Sequence, residues 1–81
     1  MSDYRIHYTN HGMGRVNDRS LSTENIRNVV NYPSVRTKTK RPARRGGAVW
    51  IFEKSVDSVR LKVVAEIKRE ECWVITAYEL H

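Results

Sequence analysis

The strongest constraint on this fold is the stretch from Val59 to Lys68, in which apolar and polar side chains alternate. Strict alternation puts one set of side chains on each face of a strand, so the stretch predicts a β-strand with one buried face. The expected core face carries Val59, Leu61, Val63, Ala65 and Ile67. The opposite face carries Arg60, Lys62, Val64, Glu66 and Lys68.

The segment that follows predicts a hairpin partner for this strand. Residues 69–71 are polar and form the expected turn, and residues 72–79 are rich in strand formers. Alternation then predicts a core face made of Trp73, Ile75 and Ala77. The other face carries Cys72, Val74, Thr76 and Tyr78, which places Thr76 and Tyr78 on the same sheet face as Lys62.

Two helices are predicted ahead of this hairpin. Asn10 is a favoured N-cap residue type, and the first helix is expected from His11 to Arg19. Ser22 is the expected N-cap of the second helix, whose apolar stripe is Ile26, Val29 and Val30. This helix ends at Tyr32, because the residue before a proline is pushed out of the helical region.

The remaining segments complete a small sheet. Residues 4–8 predict a short edge strand, residues 48–53 predict a strand, and residues 35–45 fit either a strand or a loop. The predicted fold class is therefore α+β, with two N-terminal helices packed on one face of a three- to four-stranded antiparallel sheet. The 81 residues are expected to form a single domain.

The net charge of +6 comes entirely from one segment. Residues 36–45 contain six basic residues and no acid, and the rest of the chain has nine of each. Such a run predicts binding to an RNA or DNA backbone or to an acidic protein, with a solvated loop as the alternative. The predicted nucleic-acid-binding residues are Arg36, Lys38, Lys40, Arg41, Arg44 and Arg45.

Several other classes are excluded by composition. The longest apolar run, residues 48–52, is far too short to span a membrane, and residues 1–10 contain no signal-peptide core. The single cysteine, Cys72, excludes an internal disulfide and fits a reducing compartment. We therefore expect a cytoplasmic protein with no membrane partner, no cofactor and no metal site.

Two groups of side chains are candidates for chemistry. His11, Arg15 and Arg19 are spaced by four residues, which keeps them within about 80° of one another on a helix. This basic face either meets an anion or is simply solvated. The second group lies on the non-core sheet face and is either a phosphate-contacting surface or an ordinary wet face. It comprises Arg60, Lys62, Glu66, Thr76 and Tyr78.

The run from His11 to Ser22, the helix ending in Tyr32-Pro33 and the strand from Trp73 to Tyr78 together resemble a known group of small bacterial and phage domains. That group is placed near the RelE-like toxins, within the barnase, colicin and RelE ribonuclease fold. The resemblance covers residues 6–79. Gly12 stands where those domains usually have alanine, and Ser20 where they usually have glycine.

The resemblance implies a toxin-type ribonuclease that cleaves RNA without a metal. It assigns catalytic roles to His11, Arg15, Arg19 and Thr76, and by weaker analogy to Lys62 and Tyr78. The expected partners are RNA and an acidic antitoxin or immunity protein. The alternative is a non-catalytic module of phage or mobile-element origin that binds nucleic acid or inhibits a host complex through the same basic surface.

Overall fold

A computed structural model describes residues 3–80 of the chain. The order of elements is β1 (Arg5–Tyr8), α1 (Asn10–Asp18), α2 (Thr23–Asn31), β2 (Val35–Lys38), β3 (Ala48–Val56), β4 (Val59–Lys68) and β5 (Glu71–Leu80). The strands form one sheet in the spatial order β1-β5-β4-β3-β2. Strand β1 runs parallel to β5, and the other neighbours are antiparallel. The predicted α+β class is confirmed.

The predicted sheet of three to four antiparallel strands is wrong, because the sheet has five strands and is mixed. Both outer strands have four residues, which is too short to give a clear periodic signal in the sequence. Strand β1 pairs with the free edge of β5, which is distant in sequence, and β2 occupies the start of the basic segment.

Strand β4 and its predicted core face are confirmed, although Val64 and Glu66 on the opposite face are buried as well. Leu61, Val63 and Ala65 are buried and belong to the main apolar cluster. The buried side chains that the helices supply to the same cluster are Val16, Ile26, Val29 and Val30. Helix α1 lies mainly against β5, and helix α2 lies against β3 and β4. No helix among residues 3–80 is long and apolar enough to cross a membrane.

Strand β5 interrupts the expected alternation at Ile75. Val64 of β4 pairs with Thr76, but the next residue, Ala65, pairs with Val74. Ile75 is therefore an extra residue on β5, which is a β-bulge. A bulge changes the phase of a strand, so residues on either side of it alternate in different registers.

The bulge overturns part of the predicted core face. Cys72, Val74 and Ala77 are buried in the apolar cluster, whereas Trp73 pairs with Glu66 and lies on the opposite face of the sheet. The assignment of Trp73 and Ile75 to the core, and of Cys72 and Val74 to the other face, is wrong. No composition signal in residues 72–79 marks the position of the inserted residue.

The helix starts follow from capping side chains. Helix α1 begins one residue earlier than predicted, because Thr9 and not Asn10 is its N-cap. The Thr9 hydroxyl accepts a hydrogen bond from the Gly12 N–H at 2.9 Å. Ser22 caps α2 as predicted, and Tyr32 ends that helix.

The carbonyl oxygen of Val74 anchors the start of α1 to β5. It accepts hydrogen bonds from the backbone N–H of Thr9 at 3.1 Å and from the Thr9 hydroxyl at 3.2 Å. The helix approaches so closely that a Cβ atom at Gly12 would lie 2.1 Å from this oxygen. Gly12 is therefore needed for packing, although glycine lowers helix propensity.

We expect Gly12→Ala to destabilise the fold by about 1–3 kcal/mol, because the added methyl overpacks the contact with Val74. Gly14→Ala is the matched control on the same helix, since a Cβ there meets no atom within 4 Å. It should gain about 1 kcal/mol from helix propensity. Urea unfolding followed by circular dichroism measures both changes. Equal stability of the two variants would contradict this account of Gly12.

Candidate nucleic-acid interface

His11 and Arg15 lie one turn apart on the exposed side of α1. The Arg15 Nε–H donates to the Nε2 atom of His11 at 3.4 Å. The ring nitrogen that faces Arg15 is thus an acceptor, which is the form that takes up a proton. Arg15 also places a permanent positive charge beside this nitrogen.

Arg19 lies just beyond the end of α1 and contacts β5. Its Nη1 donates to the Ala77 carbonyl at 2.8 Å and lies 3.5 Å from the Thr76 hydroxyl. Its Cζ is 5.7 Å from the ring centroid of Tyr78, and the Nζ of Lys62 is 5.5 Å from the same centroid. The structure therefore brings together four of the six predicted catalytic residues. We call this group the Arg19 cluster: Arg19, Lys62, Thr76 and Tyr78.

The other two predicted catalytic residues form a separate pair. His11 on α1 and Arg19 at its C-cap are eight positions apart, which corresponds to about 12 Å along a helix axis. Arg15 lies between them, so a basic strip follows the helix from one group to the other.

The structure divides the predicted nucleic-acid-binding residues between two surfaces. Arg36 and Lys38 lie on β2 opposite Phe52 and Trp50, on the face of the sheet that carries the main core. The Cζ of Arg36 is 5.0 Å from the Trp50 ring centroid. The exposed residues beyond β2 belong to the β2–β3 loop: Lys40, Arg41, Arg44 and Arg45.

The β2–β3 loop forms one wall of a cleft of about 820 Å³. Arg41, Arg44 and Arg45 line this wall, and residues 8–11, which include His11, line another part of the cleft. The remaining lining residues come from the sheet or the loop: Pro42, Val49, Glu66 and Ile75. The cleft places His11 and the loop arginines around one cavity, although about thirty positions separate them in the sequence.

Glu66 holds the loop in place. Its side chain is 1% exposed, and its two oxygens accept hydrogen bonds from the backbone N–H groups of Arg44, Arg45 and Gly47 at 2.9–3.1 Å. The Arg45 Nη1 is 3.8 Å from the Glu66 Oε1. Both readings of this sheet face, as a phosphate-contacting surface or as an ordinary wet face, require an exposed Glu66, and both are wrong for Glu66 because the loop covers it.

Two glycines allow this loop to close over the sheet. Gly46 has a φ of +79°, in the left-handed region that favours glycine. At Gly47, a Cβ atom would lie 2.3 Å from the Ile67 carbonyl oxygen. The sequence marks Gly46-Gly47 as a turn, but the contact with β4 is a tertiary feature and gives no local signal.

Trp73 lies beside the cleft, on the face to which the bulge turns it. Its ring stacks on that of His7, with centroids 5.3 Å apart and planes at 24°. The Cζ of Arg45 is 5.1 Å from the Trp73 centroid. His7 also contacts Glu71 at 2.8 Å, and the side chains of His7 and Arg5 hold the pKa of Glu71 below its usual range. We call His7, Trp73 and Arg45 the Trp73 row.

Cys72 is buried and carries a thiol of low reactivity. Burial raises the pKa of the Cys72 thiol to about 12, so this thiol stays protonated at neutral pH and is a poor nucleophile. Among residues 3–80 no three His, Cys, Asp or Glu side chains are grouped to hold a metal ion. The ionisable groups that line the cleft include His11, Glu66 and the three loop arginines.

Residues 8–79 match the family described as a domain of unknown function, DUF4258, and the chain therefore belongs to that family. The match includes α1, the β2–β3 loop and nearly all of β5, so it contains every residue assigned above to the cleft and to the Arg19 cluster. No curated protein and no solved structure matches the chain significantly.

We expect Glu66→Gln to destabilise the protein by about 1–3 kcal/mol, because one carboxyl oxygen that accepts N–H groups becomes an NH₂ donor. Amide hydrogen exchange at Arg44, Arg45 and Gly47 should accelerate more than exchange in β4. Glu53→Gln is the control, since Glu53 pairs with Arg60 at 3.6 Å in a partly exposed ion pair and should change stability by less than about 1 kcal/mol. Unchanged exchange in the Glu66 variant would contradict its role as the loop anchor.

Proposed function

We propose that this member of the DUF4258 family is a small toxin-type ribonuclease that cleaves RNA through its own 2′-hydroxyl, without a metal. The observation that carries the proposal is the cleft, which is lined by His11 together with Arg41, Arg44 and Arg45. The His11–Ser22 run and the Trp73–Tyr78 strand resemble small bacterial and phage domains that are placed near the RelE-like toxins, and this resemblance supports the same activity. A proton acceptor and a set of phosphate-binding cations share one cavity.

The loop arginines supply the affinity for the RNA backbone in this proposal. Arg41 and Arg44 are exposed, so their guanidinium groups are available to pair with phosphate oxygens. Arg45, whose Nη1 lies 3.8 Å from the Glu66 Oε1, adds its positive charge to the same wall of the cleft. Each neutralised phosphate releases counterions, and binding should therefore weaken steeply as salt rises. Because Glu66 fixes the loop backbone, little backbone entropy is lost in ordering the loop for binding.

His11 carries the proton transfer. In this proposal the Arg15 guanidinium turns from His11 to the bound phosphate, which frees Nε2 of His11. Nε2 then accepts the proton of the 2′-hydroxyl, the 2′-oxygen attacks the adjacent phosphorus, and the 5′-oxygen leaves with a proton from solvent. Arg15, whose Nε is 3.4 Å from His11, stabilises the extra negative charge of the pentavalent phosphorus. The products are a 2′,3′-cyclic phosphate and a 5′-hydroxyl end.

The Arg19 cluster contacts the RNA at neighbouring phosphates. The resemblance implies catalytic roles for its members, but about 12 Å of helix separates Arg19 from His11, which favours backbone contacts by Arg19 and Lys62. Thr76 and Tyr78 add hydroxyl groups on the same sheet face. The basic strip on α1 connects this cluster to the cleft.

A non-catalytic binding module is the second candidate, and one observation favours it. His11 is the one histidine among the described residues that line the cleft, and the Arg19 guanidinium already donates to the Ala77 carbonyl. A surface of this kind can bind nucleic acid, or dock on an acidic antitoxin, immunity protein or host complex, without reacting. Cleavage and binding therefore have to be measured separately.

Cleavage is tested with a pool of labelled cellular RNA in the presence of EDTA. We expect the native chain to cut and His11→Ala to lower the rate at least about 100-fold, since general acid–base groups contribute factors of this size. Asn17→Ala, at an exposed position on the same helix, is the control and should cut at the native rate. Absence of cleavage by the native chain, or equal cleavage by the His11 variant, would reject the ribonuclease proposal.

Binding is tested by charge reversal on the two sides of the molecule. Arg44→Glu should weaken RNA binding at least tenfold and reduce its salt dependence, because Arg44 lines the cleft. Arg27→Glu changes the net charge equally, but Arg27 is an exposed residue of α2 that does not line the cleft, so its effect should be small. Anisotropy titrations at two salt concentrations measure both. Equal loss in the two variants would mean that net charge, and not the cleft, governs binding.

A further inference from the structure

We infer that the Trp73 row is a stacking site for one base of a single-stranded nucleic acid whose phosphates lie in the cleft. The inference rests on the proposed function for the class of ligand, and it adds a contact to the base that the cleft alone does not supply. Cations recognise phosphates without regard to the bases. The Trp73 row lies next to the cations of the cleft and is planar and partly exposed. It can therefore contact the base of a nucleotide whose phosphate those cations bind.

The row crosses three neighbouring elements. His7 on β1 and Trp73 on β5 are directly paired in the parallel ladder, and their rings stack with centroids 5.3 Å apart. Arg45 approaches Trp73 from the β2–β3 loop, with its Cζ 5.1 Å from the ring centroid. Planar groups from a strand, its neighbour and a loop thus lie side by side on one face of the sheet.

Arg45 connects the row to the cleft. It lines the cavity, its backbone N–H is held by Glu66, and its side chain is 37% exposed. Bases of single strands stack on guanidinium planes as well as on aromatic rings. We place the base at the Arg45 end of the row, where a phosphate of the same strand reaches Arg41 or Arg44 in the cleft.

A second arginine–tryptophan pair provides an internal comparison. Arg36 lies over Trp50 with a Cζ to centroid distance of 5.0 Å, which is nearly the same geometry. Trp50, however, pairs with Ala65 and packs against the main core on the other face of the sheet, and it does not line the cleft. If stacking required no more than an arginine–tryptophan pair, both tryptophans would contribute.

The test compares two octamers that contain deoxyribose and so cannot be cut through a 2′-hydroxyl. One is oligo-deoxyadenylate, and the other has the same backbone without bases. We expect the native chain to bind the first about tenfold more tightly than the second, the size of a single stacked base. Fluorescence anisotropy of end-labelled octamers gives both dissociation constants.

The variants separate stacking from charge. Arg45→Lys keeps the positive charge but loses the planar group, so the affinity ratio should fall to about one. Arg44→Lys is the matched control in the same loop: it should weaken both octamers by a similar factor and preserve the ratio. Trp73→Leu should also abolish the ratio, whereas Trp50→Leu should preserve it. Circular dichroism establishes that each variant is folded.

The outcomes distinguish this inference from the ribonuclease proposal. A native ratio near one, no binding of either octamer, or a ratio preserved in both Arg45→Lys and Trp73→Leu would overturn the stacking site. A tenfold ratio that both variants abolish supports it, even if the native chain fails to cut RNA. In that case the chain is a single-strand-binding module, and the cleavage step alone is rejected.

Discussion

A carboxyl group in the interior of a small domain needs hydrogen-bond donors, because desolvation without them costs several kcal/mol. Glu66 obtains its donors from the backbone of the β2–β3 loop, and this requirement organises half of the candidate site. The loop carries its arginines over the sheet with it. The positive charges of Arg41, Arg44 and Arg45 are thereby held beside the start of α1. Residues 36–45 contain no acidic residue, and the carboxylate that contacts this segment comes from Glu66 on the central strand, β4.

The other half of the site depends on the bulge at Ile75. The Val74 carbonyl, just before the bulge, accepts two hydrogen bonds from Thr9, and Gly12 lets the helix lie directly against it. His11 immediately precedes this contact and so has a fixed position relative to the sheet. The same bulge turns Trp73 away from the core and toward Arg45. One inserted residue therefore positions both the proton acceptor and the aromatic row.

The features that the sequence predicts are those set by residues close together in the chain, and the features that it misses are set by residues far apart in the chain. Helix α2 and strand β4 are set by local periodicity and capping, and both are found where the pattern places them. The bulge, the parallel pairing of β1 and the burial of Glu66 are set by contacts between distant segments, and the sequence predicted none of them. The sequence identifies the basic and hydroxyl residues of the site, but it does not show which of them lie together in the fold. Arg36 and Lys38 are inseparable from Arg44 and Arg45 in the sequence, yet they lie on a different surface.

The parallel pairing of β1 with β5 also has a consequence for when the site can exist. The residues that pair are 66 positions apart in the sequence, so closing this ladder requires β5 to be in place first. During synthesis, α1 cannot dock on β5 until residues 71–80 have left the ribosome. His11 and the loop arginines therefore do not line a common cavity before β5 is in place. The cleft is completed by β5, and not by the helix that supplies His11.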